Sequence, residues 1–454
     1  MNSIELYLSD KPWRYPLAAA TCRRRQSFPM NHFPWERRRP AGEFRLSISC
    51  AMPARRRRSQ DGPGSFCQAI SLFIVLSGAG LAPAQDWVQT SAPFANWTAL
   101  ASSADGAKLV AAAGGFGTPG PIFTSTDSGQ TWTQGSVLAD WTSVASSADG
   151  AKLVAISSQA VWTSTNSGVT WRKQNAPPYG LGTVASSADG TKLAAAGANF
   201  LYTSADFGNS WSSTSGSNYY GFHNIASSAD GARLASFTEG QGFLFQFFFS
   251  TNSGNSWNEI DGPFSSNSIG SLACSADGTR FVLAVFYVGI FTTTNLGATW
   301  ETSDAPGDSG WTDVACSADG VRMVATTLGI SVDLPGSIYT SSDSGVSWVQ
   351  ASAPLTNWVR VAGSADGTKL AAAGRGGIYT WQAPPPPRLN ITLLQDSVIL
   401  SWSGSSNSTL QQTSDLTTTS WSASSVQPVL SNGQYQAVFP LTQMGNSFFR
   451  VKNP

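Results

Sequence analysis

Between residues 86 and 382, few side chains could support hydrolytic or metal chemistry. The glutamates there are Glu239, Glu259 and Glu301, the arginines Arg172, Arg233, Arg280, Arg322, Arg360 and Arg375, and the histidine His223. Glycoside hydrolysis needs two carboxylates flanking one bond, nucleophilic catalysis a Ser or Cys beside a base, and a structural metal a Cys/His cluster at short spacing. None of these patterns stands out. Asp304, Asp308 and Asp313 in "SDAPGDSGWTD" form one acidic cluster, but their spacing matches no calcium loop and reads as a solvated turn. Three of the five cysteines precede residue 85, leaving Cys274 and Cys316 at matching places in "LACSADG" and "VACSADG". They read as buried free thiols rather than a disulfide. The sequence thus calls for no cofactor, no metal and no catalytic residue.

The most repeated polar pattern is an octapeptide: "STDSGQTW" (125–132), "STNSGVTW" (164–171), "SADFGNSW" (204–211), "STNSGNSW" (250–257), "TTNLGATW" (293–300) and "SSDSGVSW" (341–348). Its third position reads Asp127, Asn166, Asp206, Asn252, Asn295 and Asp343. A neutral amide cannot act as a general base or an anionic metal ligand, yet it accepts backbone hydrogen bonds in an Asx-turn as a carboxylate does. The motif is therefore structural, a turn with a tryptophan wedge behind it.

A second motif precedes each octapeptide and recurs once more, "ASSADGAKL" to "AGSADGTKL", with aspartates at 105, 149, 189, 230, 277, 319 and 366. The spacings of 40 to 47 residues, with several short strands per copy, are those of β-propeller blades. Each copy parses into four strands, "WTSVAS", "KLVAIS", "AVWTST" and "TWRKQ" in the second, joined by Asp-Gly and octapeptide turns. The octapeptide resembles the Asp-box of BNR and sialidase-like propellers, photosystem assembly-factor propellers among them, and "SADGxKL" resembles the hairpin of WD-type propellers. The resemblance covers about 86–382 and implies an all-β propeller. Sialidases of this class use an arginine triad, a Tyr/Glu pair, an Asp and an Arg-Ile-Pro motif. No Arg-Ile-Pro occurs here, and Arg233, Arg280 and Arg322 only replace the lysine of "SADGxKL".

Seven "SADG" copies face six octapeptides, and "WVQTSAPFANW" (87–97) copies "WVQASAPLTNW" (348–358). Residues 87–92 are thus expected to complete the last blade of a seven-bladed propeller over 85–382, removing its free edge. After the Pro-rich linker 383–388, residues 389–454 alternate as a small immunoglobulin or fibronectin type III-like sandwich. At the other end, "ARRRRSQ" followed by "CQAISLFIVLSGAGLA" and "APAQ" has the order of a secretory signal peptide over 52–84. That makes residues 1–51 an extended or misassigned, disordered start. It also implies a secreted, periplasmic or cell-surface product with no transmembrane helix in the mature chain.

Past residue 84 the chain carries 14 basic against 22 acidic residues, which argues against nucleic acid. The turns at one edge of the strands are uniform, whereas the second-to-third loops and inter-blade connections vary. Repeat proteins present binding surfaces where copies differ. On those segments Tyr179, Tyr219 and Tyr220, with Arg172, Glu239 and Arg375, are the candidate contacts for a protein, peptide or glycan. The expected function is a noncatalytic binding scaffold. A sialidase-type exo-glycosidase and a structural cell-surface protein are the alternatives. The apolar position eight residues before each "SADG" aspartate (Trp97, Trp141, Leu181, Phe222, Ile269, Trp311, Trp358) reads as core rather than a stacking platform.

Overall fold

The computed structural model describes residues 72–74 and, with short breaks, 86–452. Apart from the strand Leu72–Ile74, residues 1–51 and the segment read as a leader lie outside the described residues. The regular elements described are all β-strands, and no helix among the described residues is long and apolar enough to cross a membrane. The chain divides into two compact units, Ala84–Ala383 and Pro384–Pro454 with Met1–Pro83.

The unit 84–383 holds seven four-stranded antiparallel sheets among its described residues. The first runs Trp97–Ser102, Leu109–Ala113, Gly120–Ser125, Thr133–Ala139 in spatial as in chain order. Its opening hairpin follows from the Ala-Asp-Gly turn. Asp105 Oδ1 accepts from Ser103 Oγ (2.6 Å) and from the Ala107 N–H (2.9 Å), while Gly106 takes φ +66°. The second strand, Leu-Val-Ala-Ala-Ala, is buried along its whole length because protein covers both its faces. Its alanines leave room for close neighbours.

The first strands Trp97–Ser102, Trp141–Ser146, Leu181–Ser186, Tyr220–Ser227, Gly270–Cys274, Gly310–Cys316 and Trp358–Gly363 touch in succession, and the last touches the first. Trp97, Trp141, Leu181, Phe222, Trp311 and Trp358 are buried between sheets, with Trp141 donating Nε1–H to the Gly120 carbonyl at 2.7 Å. Ile269 lies outside the described residues. Six of these strands carry a register shift just after that residue, which separates the buried ring from the polar wall beyond it. Cys274 and Cys316 are free and half-buried, each against an apolar cluster. Burial pushes both thiols up, Cys316 to about 12, so both stay protonated at neutral pH.

The seventh sheet takes its fourth strand from the start of the unit. Val88–Gln89 lies antiparallel to Gly377–Gln382, pairing Val88 with Thr380 and Gln89 with Tyr379, and the Thr90 N–H donates to the Ile378 carbonyl at 2.9 Å. Trp87 is buried beside Trp358 at 6.4 Å between ring centroids.

The second unit contains two four-stranded sheets sharing one core of Leu389, Val398, Leu400, Trp402, Leu410, Ala437, Phe439, Phe449 and Val451. One sheet includes Leu72–Ile74 parallel to Ser447–Lys452. Trp402 stacks on Tyr435, and Arg450 lies over the Trp421 ring while donating Nε–H to Gln411 Oε1 at 2.7 Å.

Deleting residues 86–91 removes the Trp87 side chain and bares a sheet edge. A loss of about 3–5 kcal/mol is expected from the tryptophan alone. It would be measured by thermal denaturation with light scattering. Unchanged melting and a monodisperse sample would show that this segment does not support the unit.

Candidate binding surface

One edge of the seven sheets is built from repeated turns, each tied to the next sheet. The alanine N–H of each Ala-Asp-Gly turn donates to the same alanine's carbonyl in the following sheet. The bonds run from Ala104 to Ala148, Ala188, Ala229, Ala276, Ala318 and Ala365 and back to Ala104, at 2.6–2.8 Å. The glycine that follows is backed by the basic residue of the preceding sheet. A Cβ on Gly150 would stand 2.8 Å from Lys108 Cδ, and one on Gly106 2.8 Å from Lys369 Cβ. Those basic residues donate onward, Lys152 to the Asp189 carbonyl (2.9 Å), Lys192 to that of Asp230 (2.9 Å), Arg322 to that of Asp366 (2.8 Å) and Arg233 to that of Asp277. Lys and Arg thus do the same cross-sheet work.

The octapeptides form the second layer of this edge. In 125–132, Ser125 Oγ donates to Asp127 Oδ1 and accepts from the Gly129 N–H, while Asp127 accepts from the Thr131 N–H (2.9 Å) and hydroxyl (2.5 Å). Asn166 keeps the pattern: Oδ1 accepts from the Thr170 N–H and the amide donates to the Thr170 hydroxyl, both at 2.9 Å. Carboxylate and amide are interchangeable because the threonine hydroxyl can donate or accept. The residue before the glycine also has positive φ, 56–66° at Ser128, Ser167, Phe207, Ser253, Leu296 and Ser344. Its varied identity hides this from sequence reading. Hydrogen bonding from Thr131, first through its hydroxyl, holds Asp127 down at about 2, and the Ser187 hydroxyl and the Thr191 N–H do the same for Asp189. Such carboxylates are ionised at neutral pH and held as hydrogen-bond acceptors within their turns.

The candidate contacts distribute as follows. Tyr220 opens the strand Tyr220–Ser227 and pairs directly with Glu239, the last residue of Leu234–Glu239. Both stand at the edge away from the Asp-Gly turn. Arg375 sits exposed in the tight turn between Lys369–Gly374 and Gly377–Gln382, at the same kind of edge, and its N–H donates to the Asn357 carbonyl at 3.2 Å. Arg172 does not join them. It starts the strand Arg172–Gln174 directly after an octapeptide, opposite Thr163, and so is exposed at the repeated-turn edge. Tyr179 and Tyr219 lie outside the described residues. The sheets of Tyr220 and Arg375 do not adjoin, so only Tyr220 and Glu239 are brought together.

Sequence reasoning missed a polar arc on the first strands. The residue six before each turn aspartate is Ala99, Ser143 and Thr183 in three sheets, but Asn224, Ser271, Asp313 and Arg360 in the next four. Asn224 donates to Ser271 Oγ (3.3 Å), Ser271 to Asp313 Oδ1 (2.6 Å), and the Val361 N–H to Asp313 Oδ2 (2.8 Å). One carboxylate therefore links three sheets. Burial raises the Asp313 pKa, opposed by the Arg360 charge and these hydrogen bonds. Of the acidic cluster, Asp304 accepts the Trp348 N–H at 2.9 Å, Asp313 lies in the strand Gly310–Cys316, and Asp308 lies outside the described residues. No group of three or more His, Cys, Asp or Glu residues is placed to hold a metal among the described residues.

No protein-family model matches the chain, and no curated protein matches it in sequence. Among solved structures it is similar to YCF48 bound to D1 peptide, at TM-score 0.51 and 15% identity over 67% of this chain and 100% of that one. It is equally similar to YCF48 from Cyanidioschyzon merolae, at TM-score 0.51 and 16% identity over 66% of this chain and 98% of that one. Both are β-propellers, and the repeated four-stranded antiparallel sheets of this chain have the same fold.

Asp127→Asn should leave stability at pH 7 within about 0.5 kcal/mol of the parent, and Asp127→Ala should cost about 1–2 kcal/mol. Because its folded pKa lies below 3.8, the stability Asp127 confers is present above that value and lost as pH falls toward about 2. Melting curves at pH 7 and pH 3 test both points, the Asn variant losing less on acidification. Asp313 has the opposite sign, since a raised folded pKa makes its contribution fade as pH rises. Asp313→Ala should cost about 1–3 kcal/mol by leaving the Val361 N–H unpaired, and Asp313→Asn should flatten the pH dependence. Denaturant unfolding across pH 4–8 measures it.

Proposed function

We propose that this chain is a secreted, noncatalytic seven-bladed Asp-box propeller, closed by residues 87–92, that binds a protein, peptide or glycan through its variable loops. Residues 52–84 act as the leader, and the C-terminal unit is an immunoglobulin-like attachment module. The observation that carries this reading is the contrast between the two edges of the sheets. On the repeated-turn edge the box and Asp-Gly side chains are committed to cross-sheet and intra-turn hydrogen bonds. The opposite edge carries loops that differ from copy to copy, with Tyr220 and Glu239 paired beneath one and Arg375 exposed on another. A peptide is one occupant known to suit the fold, since YCF48 has been seen with a D1 peptide.

The test is a screen of the secreted chain against a glycan array and a displayed peptide library, with a fluorogenic sialoside assay alongside. Binding without sialoside turnover is expected. A Tyr219→Ala, Tyr220→Ala variant should lose at least about tenfold in affinity, the effect of removing anchoring aromatics, while melting as the parent does. Binding abolished by octapeptide variants alone, or sialoside hydrolysis, would overturn the reading.

A further inference from the structure

The seventh sheet has no octapeptide turn, and its third strand ends differently from the other six. In those six, the residue paired with the first apolar residue of the second strand is Ser125, Ser164, Ser204, Ser250, Thr293 or Ser341, and its hydroxyl accepts the turn glycine's N–H. In the seventh, Leu370 pairs with Trp381. The backbone bond made elsewhere by the turn, as from the Ser128 N–H to the Ala107 carbonyl, is made here by the Ala383 N–H to the Thr368 carbonyl at 2.6 Å. The fourth strand of this sheet is Val88–Gln89. Between this sheet and the first, a cleft of about 240 Å³ remains, whereas the corresponding crevice between the first and second sheets is closed (about 0 Å³).

The walls of this cleft suit one class of ligand. Half-exposed Trp381 supplies an indole face. Around it stand the Gln130 and Gln382 amides, the Thr380 hydroxyl, the Asp86 carboxylate and the Lys369 ammonium, the last also donating to Ser128 Oγ at 3.2 Å. The side chains of Asp86, Gln130 and Gln382 make no hydrogen bond among the described residues, so their polar atoms are free for a ligand. Asp86 and Lys369 both stand on the seventh-sheet side and offset one another, which disfavours a charged ligand of either sign. Several neutral donors and acceptors beside one aromatic ring instead match a molecule with hydroxyls on its rim and an apolar C–H face. The volume, about eight waters' worth, holds a single pyranose ring. We infer that this cleft between the last and first sheets binds one neutral sugar residue, with Trp381 stacked on the ring and Gln130 and Asp86 bonded to its hydroxyls.

The test uses the full chain and four probes, the methyl glycosides of glucose, galactose, mannose and N-acetylglucosamine. Saturation-transfer NMR and indole fluorescence would be read in parallel. At least one glycoside should bind saturably, and Trp381→Ser, which restores the small residue of the other sheets, should weaken it by roughly tenfold or more. Gln130→Ala changes an exposed side chain, and should weaken binding with unaltered melting should the tryptophan variant fail to fold. A chain that binds none of the four, that keeps parental affinity in Gln130→Ala and in folded Trp381→Ser, or that takes a tripeptide library here instead, would overturn the inference. Tyr219→Ala, Tyr220→Ala should leave this binding intact, so a sugar lost only on that change would count against this cleft and in favour of the loop face.

Discussion

The backbone bond between one Ala-Asp-Gly turn and the next is the constraint to which the rest of unit 84–383 conforms. Each alanine gives its N–H to the next alanine's carbonyl and receives from the one before, and the seventh returns to the first. Such a bond can form only if the turns of adjacent sheets approach to backbone contact. The glycine beside it must have positive φ and also lack a Cβ, because a Lys or Arg stem of the preceding sheet fills the space a Cβ would need. Three of the second strands are alanine-rich, while Leu234–Glu239 and Phe281–Val285 bury Phe237, Phe281 and Leu283 and their turns still meet at 2.7–2.8 Å.

Fixing the turns in this way also determines what that edge can do chemically. An aspartate whose oxygens are shared among a serine hydroxyl and backbone N–H groups is preorganised as an acceptor and carries a depressed pKa. The interchange of Asp and Asn in the octapeptides is permitted for the same reason: the bonds need an acceptor, not a charge. Asp313 stands apart because its carboxylate joins three sheets from the first strands, accepting from the Ser271 hydroxyl and the Val361 N–H.

Much of this was legible in the sequence because turns impose residue types. Asp-Gly at a fixed period marked each hairpin, and the likeness of 87–97 to 348–358 pointed to the strand that pairs with Gly377–Gln382. What stayed hidden was set by register and three-dimensional neighbours. Arg172 opens the variable connection 172–182 in the sequence, yet it is the first paired residue of Arg172–Gln174, at the other edge. The second positive-φ residue of each octapeptide went unseen since serine, phenylalanine and leucine all occupy it. The arc from Asn224 to Arg360 could have been found by aligning the copies on their aspartates and reading six residues back, where small residues give way to polar ones.

The same alignment shows why the meeting of the last and first sheets differs from the other junctions. Where an octapeptide is present, its glycine packs against the preceding sheet, as Gly168 does onto the Thr124 methyl and Gly129 onto that of Thr380. The junction of the last and first sheets keeps that packing through 125–132, but the third strand of the seventh sheet ends without an octapeptide of its own. That strand must then end on a residue large enough to cover Leu370 without help, and a tryptophan does so while leaving part of its ring uncovered. The cleft lies beside this strand end, so the unit's least repetitive chemistry stands where its repeats run out.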